Sequence, residues 1–271
     1  MNIKLLGTGS AEGWPGLFCT CRVCQESKIL RGKNIRSRAS AIIDGTLKID
    51  LPPDTYYHVV TQQLDMSAVE LLAFTHAHDD HLAPAEFQYA SSYFVPEEST
   101  TPLRVVGCST VIQKIRNGVD IEDLPFCLEQ MDAWKNYHYG KWQITPIMAN
   151  HDPTQVCFNL IISDGVKTLL YATDTGWYHG ETWEFLSNFR LDGAVIEISR
   201  GPKEEGYSGH MSIPEVIRMR EKLIGYGALS QSSPVVTTHH SHLGGLLHDE
   251  MEEILNPHNI QVGYDGMVFD L

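Results

Sequence analysis

Short apolar runs separated by polar breaks make up most of this chain, and they fall into two periods. Residues 2–6 read as a first strand that ends in an exposed turn, Gly7-Thr8-Gly9-Ser10. Two pairs of runs, 39–43 with 46–50 and 156–163 with 167–172, flank Asp44-Gly45 and Asp164-Gly165, dipeptides that favour tight hairpin turns. The segments 71–74, 103–107, 191–196 and 234–238 read as buried strands, and 142–148 alternates as a strand does. Helical spacing predicts helices over 55–64, 109–117, 181–189 and 213–223, the last opening after a cap-like Ser212. A basic helical piece is expected from Cys24 to Arg31 inside a loop over 12–36, and another helix from Pro84 onward. Residues 94–102, with Pro96, Glu97, Glu98 and Pro102, read as a surface loop. Strands interleaved with helices, without repeat, low-complexity run or linker, predict one α/β domain over residues 1–271.

Composition adds two constraints. No run approaches the roughly 18 apolar residues of a membrane span, and Met1 leads straight into a strand without a signal-peptide core. A cytoplasmic protein is therefore expected, with no membrane partner. The net charge is −14, from 34 acidic against 20 basic residues. Such a surface repels polyanions, which argues against a long nucleic acid as substrate. A small anionic substrate stays compatible, because bound cations invert the local field.

Chemistry concentrates where the strand 71–74 ends. His76-Ala77-His78-Asp79-Asp80-His81 places three imidazoles and a carboxylate, in the order His-x-His-x-Asp-His, on one sharp loop. Neutral imidazole and carboxylate suit Zn, Mn or Fe, and ligands fanned in two directions suit two ions side by side. His151, Asp174 and His239 each follow a strand-like run as well. Taken alone, each also reads as a turn, cap or sheet-edge residue.

The six cysteines form two groups. Cys108, Cys127 and Cys157 stand in apolar surroundings and are expected to be reduced core residues. Cys19, Cys21 and Cys24 form Cys-x-Cys-x-x-Cys, whose three thiolates suit three corners of a structural zinc, with His242 the candidate fourth ligand. A redox role is the alternative for such a cluster.

The His-x-His-x-Asp-His loop followed by His151, Asp174 and His239 resembles the metallo-β-lactamase superfamily. That resemblance implies an αββα sandwich of two mixed β-sheets flanked by helices. It implies that His76, His78 and His151 hold one divalent ion, that Asp80, His81 and His239 hold another, and that Asp174 bridges them. Ions about 3.5–4 Å apart can share a hydroxide and grip both oxygens of an in-line displacement, with Asp80 also orienting the nucleophile. The opening Leu-Gly-Thr-Gly-Ser-Ala-Glu-Gly, the cysteine knuckle, Thr238-His239-His240-Ser241-His242 and Gly263-Tyr264-Asp265-Gly266-Met267 resemble the PhnP-like phosphodiesterase branch. The branch for pyrroloquinoline-quinone biosynthesis carries a similar knuckle, but its His-x-His-x-Asp-His loop is often degraded, whereas here it is intact.

A leaving alkoxide needs a proton, and His210, just before the helix from Ile213, matches the position of a family histidine proposed to act there. Arg200 and Lys203 precede it in a loop that can pass over the site and contact phosphate. Asp50 is expected to orient a metal-bound imidazole, and His240 to point to the opposite face of its strand. His58, His138, His179, His248 and His258 carry no supporting pattern. The expected activity is hydrolysis of a small cyclic or nucleotide-like phosphodiester, in a protein compatible with homodimerisation. Hydrolysis of a carbonyl ester, lactone or thioester is the alternative. An accessory role in cofactor biosynthesis fits an intact ligand set less well, and a tRNA-processing ribonuclease fits the acidic surface less well.

Overall fold

The computed structural model describes residues 1–96, 99, 102–120, 122 and 124–271. The loop expected over 94–102 lies partly outside them, at residues 97, 98, 100 and 101. In chain order the elements are β1 (Asn2–Gly7), α1 (Arg22–Leu30), β2 (Ser40–Ile43), β3 (Leu47–Ile49), α2 (Thr55–Gln62), β4 (Leu71–Ala73), β5 (Leu103–Gly107), α3 (Ser109–Gly118) and β6 (Phe126–Gln130). They continue as β7 (Tyr137–Tyr139), β8 (Trp142–Met148), β9 (Phe158–Ser163), β10 (Thr168–Ala172), α4 (Gly180–Leu186), β11 (Gly193–Glu197), α5 (Ile213–Gly225), β12 (Val235–Thr238), α6 (His248–Leu255), β13 (Gln261–Val262) and β14 (Val268–Asp270).

The strands form two mixed seven-stranded sheets, in the orders β14-β1-β2-β3-β4-β5-β6 and β13-β12-β11-β10-β9-β8-β7. Helices cover them in the αββα arrangement of the metallo-β-lactamase fold. Alternation along the central strands explains the layering. Leu169 and Tyr171 of β10 and Val195 of β11 join the core shared by the two sheets, with Ile43, Ile49 and Leu160. Leu170, Ala172, Ala194 and Ile196 face the other way and meet Trp183 of α4, Val216 and Leu223 of α5, and Met251 of α6. A strand buried on both faces reads as a continuous apolar run, which is how these segments look in the sequence.

The expected turn chemistry is present. Asp44 and Gly45 both take positive φ, 47° and 70°, as a tight hairpin turn requires. Ser212 forms a full capping box with Glu215 at the start of α5. The helix expected from Pro84 is instead a 3-10 helix, Pro84–Ala90. Cys127 is exposed rather than in the core, because β6 is the last strand of its sheet; all six cysteines are free. Asp265, from the closing motif, accepts hydrogen bonds from Thr8 N and Oγ1 at 2.9 and 2.7 Å, and from Ser37 N and Oγ at 2.7 and 2.6 Å. The last residues thereby lock the first turn. Among the described residues no helix is long and apolar enough to cross a membrane.

Candidate metal centre

The site is assembled at the ends of strands from both sheets. The His76–His81 loop leaves β4, His151 follows β8, Asp174 follows β10 and His239 follows β12. Asp50, Asp174 and His239 take left-handed φ values of 59°, 48° and 52°. Non-glycine residues hold such conformations only where surrounding contacts fix them, at a cost of about 1–3 kcal/mol each. Each strand therefore breaks sharply and aims its next side chain across the sandwich edge.

The seven side chains fall into two clusters whose ligand atoms lie within 4.8 Å of one another: His76, His78, His151 and Asp174, then Asp80, His81, Asp174 and His239. In the first, His78 Nδ1 lies 2.9 Å from His76 Nε2 and 3.1 Å from His151 Nε2. Asp174 Oδ2 is 3.5 and 3.4 Å from those two Nε2 atoms. Its other oxygen turns to the second cluster, 3.3 Å from His81 Nε2 and 2.9 Å from His239 Nε2. Asp80 Oδ2 completes that cluster, 3.3 and 3.6 Å from the same nitrogens.

The outer nitrogen of every imidazole is held. His76 Nδ1 meets Thr75 Oγ1 at 3.0 Å, His78 Nε2 meets Asp152 at 3.0 Å, and His151 Nδ1 donates to the Gly209 carbonyl at 2.9 Å. His81 Nδ1 donates to Asp50 at 2.7 Å, and His239 Nδ1 meets Ser199 Oγ at 2.8 Å. The inner nitrogens of His81 and His239 are buried without a hydrogen-bond partner among the described residues. Inner nitrogens gathered around the Asp174 carboxylate while the outer nitrogens are anchored is the pattern of preorganised ligands, so the residues present fit divalent cations.

The two clusters differ electrostatically. Burial and the neighbouring His81 charge hold His76 well below the usual imidazole range, against the pull of Asp174. Burial likewise lowers His151. His239 is raised to about 10: burial opposes the shift, but Asp174 outweighs it, helped by Asp80 and Glu197. His81 is raised well above its usual range against burial, by Asp174, Asp80 and Asp50.

His210 lies beside the two four-residue clusters and belongs to neither, grouping instead with Glu197 and His239. Its ring stacks 5.4 Å from His239 and lies 4.8 Å from His151, and its Nδ1 donates to Glu197 at 2.7 Å. Burial lowers its affinity for a proton, but Glu197 more than compensates and raises it. Glu197 is fully buried at the end of β11 and also accepts from Thr175 N and from Ser199 N and Oγ. Sequence reasoning passed over Glu197 and Ser199; a carboxylate closing the apolar run 191–196 was the available signal. The loop bearing His210 crosses so closely that the Ser208 carbonyl lies 1.7 Å from where a Cβ on Gly176 would stand, so only glycine fits there.

A cavity of about 530 Å³ opens over the clusters, with Glu12, Asp152, Lys203, Tyr207 and Leu243 among its walls. Arg200 and Lys203 line it but are engaged elsewhere: Arg200 pairs with Glu215 and donates to the Glu204 carbonyl, and Lys203 Nζ donates to the Leu243 carbonyl at 3.0 Å. A larger, mainly apolar cavity of about 650 Å³, walled by Leu51, Val59, Phe87 and Phe126, includes none of the cluster residues among its described walls. His240 is buried outside both clusters, its backbone N–H donating to the Thr8 carbonyl at 2.7 Å.

Cys19, Cys21, Cys24 and His242 form a separate group, again with ligand atoms within 4.8 Å of one another. Cys21 Sγ and His242 Nδ1 are 3.7 Å apart, and the other ring nitrogen of His242 lies 3.7 Å from Glu12.

Residues 50–240 match the family model for the beta-lactamase superfamily domain. The chain belongs to the metallo-β-lactamase superfamily. A curated relative, "Octanoyltransferase" of Porphyromonas gingivalis (strain ATCC BAA-308 / W83), is 25% identical over 281 residues, covering 98% of this chain and 51% of that protein. The chain thus spans about half the length of that relative. Among solved structures, a diphosphatase from the PhnP family superposes with a TM-score of 0.79 at 19% identity, over 100% of this chain and 97% of that one. Zn-bound PqqB from Methylobacterium extorquens gives 0.77 at 14%, over the whole of both chains. Human tRNase Z, short form, gives 0.66 at 15%, over 100% and 99%. These structures share the fold.

Proposed function

We propose that this chain is a metal-dependent hydrolase of small phosphodiesters, with all 271 residues forming one catalytic unit. His76, His78, His151 and Asp174 hold one divalent ion and Asp80, His81, His239 and Asp174 a second, zinc, manganese and iron being the fitting class; Cys19, Cys21, Cys24 and His242 hold a structural zinc. Two such ions, when bound, activate water and neutralise charge on phosphoryl oxygens. The chain's own side chains supply the rest. Asp80 accepts a hydrogen bond from the attacking water and sets its direction. His210 carries the proton for the departing alkoxide.

The observation that carries this reading is the His210–Glu197 pair. A partly buried imidazole, whose hold on its proton is strengthened by the fully buried Glu197 carboxylate and which is not needed as a ligand, suits a leaving group that departs as a strongly basic alkoxide. A thiolate, with an ordinary pKa near 8.5, needs no such donor. The acidic surface, net charge −14, also favours a small substrate over an RNA.

Metal-stripped protein resupplied with Mn²⁺ or Zn²⁺ should hydrolyse bis(p-nitrophenyl) phosphate well above p-nitrophenyl phosphate. The octanoyltransferase relative favours one second reading, hydrolysis of an acyl ester or thioester. Metal-dependent turnover of an octanoyl thioester, with none on the diester, would establish that reading and remove the first.

A further inference from the structure

Beneath the His81 side of the centre lies a cation that the proposed chemistry does not use. Lys48 is fully buried, which lysine seldom is unless its ammonium is paired. It sits in β3 opposite Ile42 of β2, so it shares one face of the sheet with Ser40 and Asp50. Its Nζ donates to Ser40 Oγ at 2.8 Å and to the backbone carbonyl of Asp50. Ser40 Oγ donates in turn to the Ile49 carbonyl at 2.7 Å. The two carbonyls on either side of the β3 exit are thereby gripped from one face. From that backbone, held at a left-handed φ of 59°, the Asp50 carboxylate accepts from Thr75 N at 2.8 Å and from His81 Nδ1 at 2.7 Å.

We infer that Lys48 is a positioning residue for the His81 half of the metal centre: it clamps the Asp50 carbonyl and so fixes the carboxylate that orients the His81 ring. The inference rests on reading His81 as a ligand, as proposed above. Burial pulls the Lys48 ammonium down to about 7 against the opposing charge of Asp50. The clamp survives either protonation state, since a neutral amine keeps two N–H donors for the same two acceptors. The other half depends on this clamp far less. His78 and His151 are held by Asp152 and Gly209, and only His76 touches the Asp50 network, through Thr75 Oγ1.

The test is dialysis of the loaded protein against graded chelator, with bound metal counted at each step. His81→Ala and His76→Ala serve as references that mark which active-site ion responds. Lys48→Met, nearly conserving volume while removing every donor, should remain folded by circular dichroism. It should release one active-site ion at about tenfold lower chelator, following His81→Ala, and keep the other as the parent does. Ser40→Ala loosens the amine without removing it; it should shift the same ion by less, and it decides the matter if Lys48→Met does not fold. Folded variants that release both ions as the parent does, or both equally early, overturn the positioning role. If His81→Ala also releases metal as the parent does, the ligand reading itself falls and takes the inference with it.

Discussion

His76 and His151 on one side of Asp174, and His81 and His239 on the other, are the same residue type at similar depth, yet they sit in opposite fields. On the first side desolvation dominates, and burial keeps the rings neutral. On the second, Asp80, Asp50 and Glu197 add their charges to that of Asp174 and strengthen both rings' hold on a proton. A cation must displace those protons on the second side, whereas on the first it meets free lone pairs. The carboxylates that would make the second position tight also make its protons harder to displace. Asymmetry of this kind separates an anchoring ion from one whose binding responds to conditions.

The largest effect should come from breaking the second side. In the proposed site Asp80→Ala takes away a ligand and the nucleophile's orienting acceptor together, so it should lower kcat/KM about a thousandfold or more while reducing bound active-site metal. His210→Ala tests a different boundary. On a diester whose leaving group is an alkoxide, turnover should fall by about 10²–10⁴ with both active-site ions retained, because the proposed role of His210 is to deliver a proton and not to hold an ion. Turnover of bis(p-nitrophenyl) phosphate, which releases a weakly basic phenolate, should fall far less. Metal loss in the His210 variant, measured on the dialysed protein, would move that residue into the ligand set.

Much of this asymmetry was not legible in the sequence. The ligand candidates were, because each stands at the end of an apolar run and the His-x-His-x-Asp-His loop compresses four of them into six residues. The hairpin turns at Asp44-Gly45 and Asp164-Gly165 and the strands too uniformly apolar to face water were legible as an α/β domain, whereas the αββα layering came from the resemblance to the metallo-β-lactamase superfamily. Of the partners of the outer nitrogens, Asp50 beside His81 was legible; Ser199, Asp152 and the Gly209 carbonyl were not, because they come from three separate loops whose convergence only the tertiary fold sets. Edge elements were missed for a related reason. Strands β6 and β14 are half exposed and carry polar residues that dilute any periodicity. Arg200 looked free for phosphate in the sequence; the capping-box residue Glu215, fifteen positions away, takes its guanidinium.

Proton counting sharpens the comparison further. With His239 raised to about 10, loading the second ion near pH 7 displaces its proton, and affinity should rise about tenfold per pH unit for each proton released. The first ion should show little such dependence above the ordinary imidazole range, since His76 and His151 are already neutral there. The same shift has a consequence for the metal-free fold. A raised folded-state pKa contributes stability fully present below about 6.5 and lost as pH rises through about 10, so the apoprotein should weaken on the alkaline side. Calorimetric titrations in buffers of different ionisation enthalpy count the protons directly. Equal release for the two ions would erase the distinction between the halves.

The cysteine knuckle supplies the outside reference, and its expected effect on turnover is the smallest. Burial opposes acidity at Cys21, but hydrogen bonds from the Cys24 backbone and neighbouring groups bring the thiol down to about 7. Burial pushes the Cys24 thiol up to about 12, so a zinc there must expel its proton. Cys21 is exposed and its group is closed by the local turn plus His242 alone, unlike the strand-end ligands, so the knuckle bears on stability more than on chemistry. Cys21→Ser should lose this zinc and about 2 kcal/mol of stability, lowering Tm by roughly 4–8 °C. The active-site ions should stay, and kcat per folded molecule should remain within about twofold. The link to watch is Glu12, which lies 3.7 Å from His242 and also lines the substrate cavity. A rise in KM at constant kcat would show the knuckle shaping that wall. A variant with the parent's Tm and zinc count would show that these four residues hold no ion, and the two halves would be left without their reference.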